Sequence, residues 1–185
     1  MKKHILILPM LILALVFTGC SDNDPVQVNE QEVITTVEVT LTNGTDSYVL
    51  SWEDLDGDGP NEAVVVGATI PAGDYDGDIQ LYNKTVPEDD EEYVVTVEIL
   101  EEDLDHQFFF NPINGLEIDG DYDDVDSAGN PIGQQFKITA AASSGDLNIV
   151  LLHEPDKNAA GVSDGEITNA GGERDIDITF PIIVQ

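Results

Sequence analysis

Apolar and polar residues alternate along most of this chain, which is the pattern of β-strands. In residues 33–42 (VITTVEVTLT), valine and leucine fall on one face of an extended segment and glutamate and threonine on the other. Similar segments predict further strands over residues 47–52, 63–68, 78–83, 94–100, 107–111, 135–140, 147–152 and 175–184. No segment has convincing helical periodicity, so the sequence predicts an all-β protein.

Turn-forming clusters rich in glycine, aspartate, asparagine and proline separate these segments. About nine or ten short strands divided in this way are typical of a single antiparallel β-sandwich, of immunoglobulin-like or related type. We assign this domain to residues 33–185.

Residues 155–173 form the longest predicted connection without a strand, and long loops in compact domains are often functional. This segment is therefore the best candidate for a binding loop. Within it, residues 161–165 (GVSDG) match the nucleophile-elbow motif of hydrolases, but that motif works only where a strand turns into a helix. We therefore predict no catalytic residue and no enzyme.

The first 19 residues have the character of a secretory signal, with Lys2 and Lys3 before an apolar stretch too short for a comfortable membrane span. Thr18 and Gly19 precede Cys20, and this site resembles a bacterial lipobox, which implies acylation of Cys20. An ordinary signal peptide followed by a free thiol is the alternative. Residues 20–32 are polar and acidic, which predicts a flexible tether.

Removal of residues 1–19 would leave four basic residues against 38 acidic residues, a net charge of −34. Such a surface repels phosphate backbones, so nucleic acid is not an expected partner. Residues 21–24 (SDND) also resemble the acidic signals that send lipoproteins of Bacteroidetes to the cell surface. We expect a lipid-anchored protein of the outer membrane, on the cell surface or otherwise on its periplasmic face.

The segment DLDGDGPNE carries alternating aspartates with two glycines, a pattern found in calcium loops. Its oxygen donors would be Asp54, Asp56, Asp58, the carbonyl of Pro60, and Glu62. Val65 stands where an EF-hand needs its last carboxylate, and the flanking segments are strands, so this is not an EF-hand. A calcium site and a plain acidic hairpin turn both remain open. Two other acidic runs, residues 74–78 and 119–126, are interpreted as solvated turns.

Two histidines remain beyond the predicted signal, His106 and His153, and each has a neighbouring carboxylate in sequence. Each lies in phase with the apolar residues of a predicted strand. Two imidazoles with a carboxylate can hold zinc or another transition metal. A hydrogen-bonded histidine at a strand end is the alternative for each residue.

The segments EVITTVEVTLT, LSWEDLDGDGPNE, DHQFFF, LLHEPDKNAAGVSDGEITNAGGERDI and TFPIIVQ together resemble small acidic lipoproteins of flavobacteria (Bacteroidetes) of unknown function. Members are sometimes labelled type 1 periplasmic-binding-fold proteins, a fold that needs a much longer α/β chain. We expect an envelope lipoprotein that binds a ligand or metal ion, as a possible accessory to a TonB-dependent outer-membrane receptor. A structural or adhesive surface module without a small ligand is the alternative.

Overall fold

A computed structural model describes residues 32–57 and 59–185 of the chain. The predicted signal, Cys20 and all of the predicted tether except Glu32 lie outside these residues. The described strands are β1 (Thr36–Asn43), β2 (Asp46–Glu53), β3 (Val64–Val66), β4 (Ala68–Ile70), β5 (Gly73–Tyr82), β6 (His106–Ile113), β7 (Ile118–Tyr122), β8 (Gln135–Ala140), β9 (Ser143–His153) and β10 (Glu173–Val184). Helix α1 spans Val95–Glu101, and two 3-10 turns span Val162–Asp164 and Ile167–Asn169. Among the described residues, no helix has the length and hydrophobicity needed to span a membrane.

The strands form two sheets that pack against each other. The six-stranded sheet has the order β3-β2-β1-β5-β8-β7, and the four-stranded sheet has the order β4-β10-β9-β6. Neighbouring strands are antiparallel, except that β4 runs parallel to β10. The chain passes from the first sheet to the second at Gly67, where a side chain would collide with Pro181. The predicted all-β sandwich is confirmed.

The main core lies between the two sheets and is built from the predicted alternation. In β1, Val37, Val39 and Leu41 are fully buried, and in β9 the residues Ile149 and Leu151 meet them from the other sheet as part of one cluster. Each such side chain contributes about 1.5–3 kcal/mol by leaving water. Burial on one face therefore fixes the register of each strand.

A second, smaller core lies on the outer face of the four-stranded sheet. Phe109, Val150 and Leu152 point to this face, and they are buried because Val162 and Ala170 from the β9–β10 connection pack on them. The same connection is anchored by Lys157, whose Nζ lies 2.9 Å from Asp126 Oδ2 and donates to the carbonyl of Asp103 at 2.6 Å. The predicted binding loop is thus a folded cover of the sheet, and ligand binding by it stays a prediction.

The prediction of a strand over residues 94–100 is wrong, because Val95–Glu101 form helix α1. Its β-branched residues favour a strand by propensity. Tertiary packing favours the helix instead, because a helix buries both Val95 and Ile99, which are one turn apart, and leaves Val97 exposed. The hydroxyl of Thr96 also accepts a hydrogen bond from the Leu81 amide at 2.7 Å, which ties the helix to β5.

The interpretation of the two other acidic runs as turns is also wrong for most of their length. Asp74, Asp76 and Asp78 belong to β5, and Asp119 and Asp121 belong to β7. In β5 the alternate residues Tyr75, Gly77 and Ile79 are buried, so the period of two places the aspartates on the opposite, solvent-facing side. The acidic repeat is a polar strand face.

Candidate metal centre

Four ionisable side chains converge at one end of the four-stranded sheet: Glu32, His106, His153 and Asp175. Each offers one ligand atom, and these four atoms lie within 4.8 Å of one another. The side chains are almost fully buried, with exposed fractions of 2% for both carboxylates, 0% for His106 and 8% for His153. Among the residues that the structure describes, this is the one such group. We refer to it as the His-carboxylate cluster.

Strand pairing brings the two histidines together. His106 is the first residue of β6, His153 is the last residue of β9, and they are direct partners in the antiparallel register. Their ring centroids are 4.6 Å apart, with the planes at 78°. The cluster therefore sits where the edge strand β6 begins and its neighbour β9 ends.

A β-bulge supplies the third ligand. In the pairing of β10 with β9, Glu173 faces His153 and Arg174 faces Leu152, but the next residue to face β9 is Ile176. Asp175 is the extra residue of this bulge. Bulges re-aim side chains, and here Asp175 Oδ2 lies 3.9 Å from both His106 Nε2 and His153 Nδ1.

Glu32 reaches the cluster from the segment that leads into β1, a strand of the other sheet. Its Oε1 lies 3.2 Å from His106 Nε2 and 3.8 Å from His153 Nδ1. Glu32 is the last residue of the predicted tether, yet its carboxylate is buried against the sandwich. The cluster thus connects the segment before β1 to the four-stranded sheet.

The orientation of His106 leaves a ring nitrogen free to act as a ligand. Its Nδ1 lies 3.2 Å from the carbonyl oxygen of Glu102, directly after helix α1, so Nδ1–H donates to this carbonyl. The lone pair of Nε2 then faces the cluster, as in metal sites whose histidines are held by a backbone carbonyl. Helix α1, which the sequence did not predict, therefore positions a candidate ligand atom, Nε2 of His106.

Three buried polar atoms of the cluster have no hydrogen-bond partner: Glu32 Oε2, His106 Nε2 and Asp175 Oδ2. Although Nε2 of His106 is close to the Glu32 carboxylate, the two groups are not aligned as a hydrogen bond. Buried polar groups are nearly always satisfied, and three exceptions at one place call for an explanation. A cation at the centre of the cluster would satisfy His106 Nε2 and Asp175 Oδ2, and it would also satisfy Glu32 Oε2 if this carboxylate bound through both oxygens.

Burial and the close approach of charged groups shift the pKa values of Asp175, Glu32 and His106. Burial, with repulsion from Glu32, raises the pKa of Asp175 to about 6. Burial alone would raise the pKa of Glu32, but contact with His106 and the charge of both imidazoles lower it. Burial alone would lower the pKa of His106, but Glu32, the Glu102 carbonyl and Asp175 raise it. Both carboxylates therefore depend on positive charge at this position.

The spacing of the ligand atoms fits a tetrahedral transition-metal ion. Metal–ligand bonds of about 2.0–2.2 Å in a tetrahedron place neighbouring ligand atoms about 3.3–3.6 Å apart. Of the six distances between the four ligand atoms, the four between a nitrogen and an oxygen run from 3.2 to 3.9 Å, and the other two are within 4.8 Å. Calcium prefers six to eight oxygen ligands, so two imidazoles favour a transition metal. Four residues can thus close a coordination shell with small shifts.

The predicted calcium loop connects β2 to β3, and Asp58 lies outside the described residues. Asp54 Oδ1 accepts the Asp56 amide at 3.3 Å, and Asp56 Oδ2 accepts the Asn61 side-chain amide at 2.6 Å. Asp56, Pro60 and Glu62 are exposed. These are contacts of a polar hairpin loop, and calcium binding there stays a prediction.

A cavity of about 810 Å³ lies apart from the His-carboxylate cluster. Phe110, Tyr122 and Phe136 line it, together with residues 163–168 of the β9–β10 connection. Part of the predicted binding loop therefore borders a cavity.

Comparison of the chain with known proteins gives no match: no family model, no curated protein and no solved structure matches it.

Proposed function

We propose that this protein is a cell-envelope lipoprotein whose β-sandwich binds one divalent transition-metal ion through Glu32, His106, His153 and Asp175. The observation that carries the proposal is the convergence of these four ligand atoms within 4.8 Å, with three of the buried atoms unsatisfied. Two carboxylates and two neutral imidazoles carry a charge of −2, which a divalent cation neutralises. The ion would be held as a structural centre, because the surrounding side chains leave little of the cluster exposed.

Zinc is the ion that the ligand set favours. Two nitrogen and two oxygen donors in a closed shell of four suit its tetrahedral preference. Other divalent metals that bind imidazole, such as nickel and cobalt, are competitors because affinity alone separates such metals weakly.

The predicted acylation of Cys20 would hold this centre at the outer membrane. A tethered domain with one bound metal would suit an accessory to a TonB-dependent receptor, and the strongly acidic surface would concentrate cations near it. This placement is supported by the lipobox-like sequence and the charge of the chain.

The test is a metal titration of the protein after treatment with a chelator. We expect isothermal titration calorimetry to give one zinc ion per chain, and elemental analysis of the untreated protein to find the metal bound in the cell. The variants His106→Gln and Asp175→Asn should lose at least ~100-fold in affinity, because each removes a ligand.

Asp177→Asn is the matched control, since Asp177 lies on the same strand with its carboxylate half exposed. Its affinity should equal that of the wild type. If zinc binds equally well to Asp175→Asn and to Asp177→Asn, the ion is held elsewhere and the proposal fails.

A structural or adhesive module is the second proposal, and β3 favours it. Its three valines are exposed by 61%, 41% and 49% on an edge strand of the six-stranded sheet. Exposed apolar edges are places where another chain can add. A Val65→Lys variant that loses a protein partner in pull-down experiments, with zinc binding unchanged, would support this second function.

A further inference from the structure

Glu32 differs from the other three ligands in how it is attached to the fold. His106, His153 and Asp175 lie on three neighbouring strands of one sheet, β6, β9 and β10. Their backbones are fixed by strand pairing. Glu32 lies four residues before β1. It is the ligand whose backbone lies outside the sheets.

The backbone becomes anchored only after Glu32. Among the described residues, Thr35 is the first that hydrogen-bonds through its backbone to a sheet: its amide donates to the Tyr82 carbonyl at 2.9 Å, and its carbonyl accepts the Asp54 amide at 2.8 Å. Val33 is 56% exposed. Residues 32–34 are therefore held to the domain by partial packing of Ile34 and by the Glu32 carboxylate in the cluster.

The charge of the cluster sets whether the Glu32 carboxylate is stable there. Its ligand oxygen lies within 4.8 Å of that of Asp175, and both carboxylates are almost fully buried. Two like charges in such a place repel, and each has lost its water. Release of Glu32 to solvent relieves both costs and breaks no backbone hydrogen bond that the structure describes, although it gives up the contacts of Glu32 Oε1 with His106 Nε2 at 3.2 Å and with His153 Nδ1 at 3.8 Å. A divalent cation between the carboxylates adds attraction for Glu32 and shifts the segment further toward the docked position.

We propose that the bound metal ion docks the N-terminal segment, residues 32–34, onto the sandwich, and that its removal releases the segment. This inference rests on the proposed function, because it assigns to the metal a regulatory role through Glu32. The metal-free domain keeps its two sheets, since the other three ligands belong to paired strands.

Linkage gives the size of the effect. Coupling between two binding events is reciprocal. If Glu32 increases the metal affinity by a given factor, saturating metal therefore lowers the population of the released segment by the same factor. The ratio of the dissociation constants of Glu32→Ala and wild type measures this factor by calorimetry. An expected ratio of roughly 100 predicts a roughly 100-fold lower population of the released segment in the metal-bound protein.

A glutamate-specific serine protease can measure the population of the released segment, because it cleaves after Glu32 when that residue is accessible. The purified full chain is digested with saturating zinc or with chelator, and mass spectrometry follows the product that begins at Val33. We expect this product to form roughly 100-fold faster without metal, matching the calorimetric ratio. A synthetic peptide substrate in both reactions corrects for protease activity. At a zinc concentration that saturates the wild type but lies well below the dissociation constant of Asp175→Asn, zinc should not change the rate in that variant.

The bond after Glu38 distinguishes local release from loss of the fold. Glu38 lies in β1 and pairs on both sides, with Ser51 and with Gln80. It should stay uncut with and without metal. Cleavage there together with cleavage after Glu32 overturns the inference, because the metal would then support the whole domain. Equal cleavage after Glu32 in both states, while calorimetry shows zinc bound, overturns the docking but leaves the metal site. Failure of zinc to bind overturns both.

Discussion

Replacement of Asp175 by asparagine should stabilise the metal-free protein while weakening its stabilisation by zinc. The ligand oxygens of Asp175 and Glu32 lie within 4.8 Å. Two unit charges at that distance repel by about 3.5 kcal/mol at an effective dielectric constant of about 20. Asparagine keeps the shape of the side chain and removes this repulsion.

Protonated His106 opposes this gain. Its Nε2 lies 3.9 Å from Asp175 Oδ2 and attracts the carboxylate by about 4 kcal/mol at the same dielectric constant. The measurement therefore belongs at pH 9, because the pKa of His106 is raised and its charge persists above the usual range. With some relaxation of the site, about half of the repulsion remains, so we expect a gain of roughly 2 kcal/mol. For a chain of this size, that is an increase of about 4–8 °C in Tm.

The assay is thermal unfolding of both proteins, first at pH 9 with chelator and then at pH 8 with saturating zinc. Without metal the Asp175→Asn variant should be more stable, and with zinc the order should reverse, because at least ~100-fold tighter binding gives the wild type about 2.7 kcal/mol more stabilisation. Asp177→Asn, exposed on the same strand, should stay within about 0.5 kcal/mol of the wild type. A variant less stable than the wild type at pH 9 would refute the reasoning, since the carboxylate would then be a satisfied structural group.

We also expect measurable effects of His106 protonation, of the Lys157–Asp126 ion pair and of the burial of Phe109. Zinc should bind more tightly at pH 8 than at pH 6 in calorimetric titrations, because His106, whose pKa is raised, must release a proton when the metal binds. In the metal-free protein, protonation of His106 contributes stability that is fully present below pH 6.5. This stability is lost as the pH rises through the raised pKa of His106. Lys157→Met should cost about 3–5 kcal/mol in chemical denaturation because it leaves Asp126 buried and unpaired. In the wild type the pair's contribution is present above pH 3.8 and is lost as the pH falls through the lowered pKa of Asp126, since burial is outweighed by Lys157. Phe109→Ala should cost about 3–5 kcal/mol by opening a cavity under the β9–β10 connection, and an unchanged denaturation midpoint would show that the connection packs differently.

The sequence predicts the sandwich well because one face of most strands is buried. Val37, Val39 and Leu41 alternate with polar residues, and the structure buries that face completely. The prediction fails at residues 94–100, where β-branched residues form helix α1. The conformation of this short segment is determined by its packing against β5. Over so few residues, apolar positions spaced as in a strand cannot be distinguished from apolar positions spaced as in a helix.

Two of the four residues of the His-carboxylate cluster, His106 and His153, could be singled out from the sequence. His106 and His153 stand out because few histidines occur in the chain, but their meeting depends on strand register across 47 positions. Glu32 and Asp175 are hidden among 38 acidic residues. Asp175 reaches the cluster only through a bulge, which changes the alternation that the sequence pattern assumes. Such a shift has no signal in composition or spacing.

The most direct measurement is X-ray absorption spectroscopy of the zinc-loaded protein, followed by a crystal structure with anomalous data at the zinc edge. We expect one zinc ion per chain with two imidazole nitrogens and two carboxylate oxygens at about 2.0–2.2 Å, placed between Glu32, His106, His153 and Asp175. Zinc found on exposed aspartates such as those of the β2–β3 loop, with the four cluster residues free of metal, would contradict it.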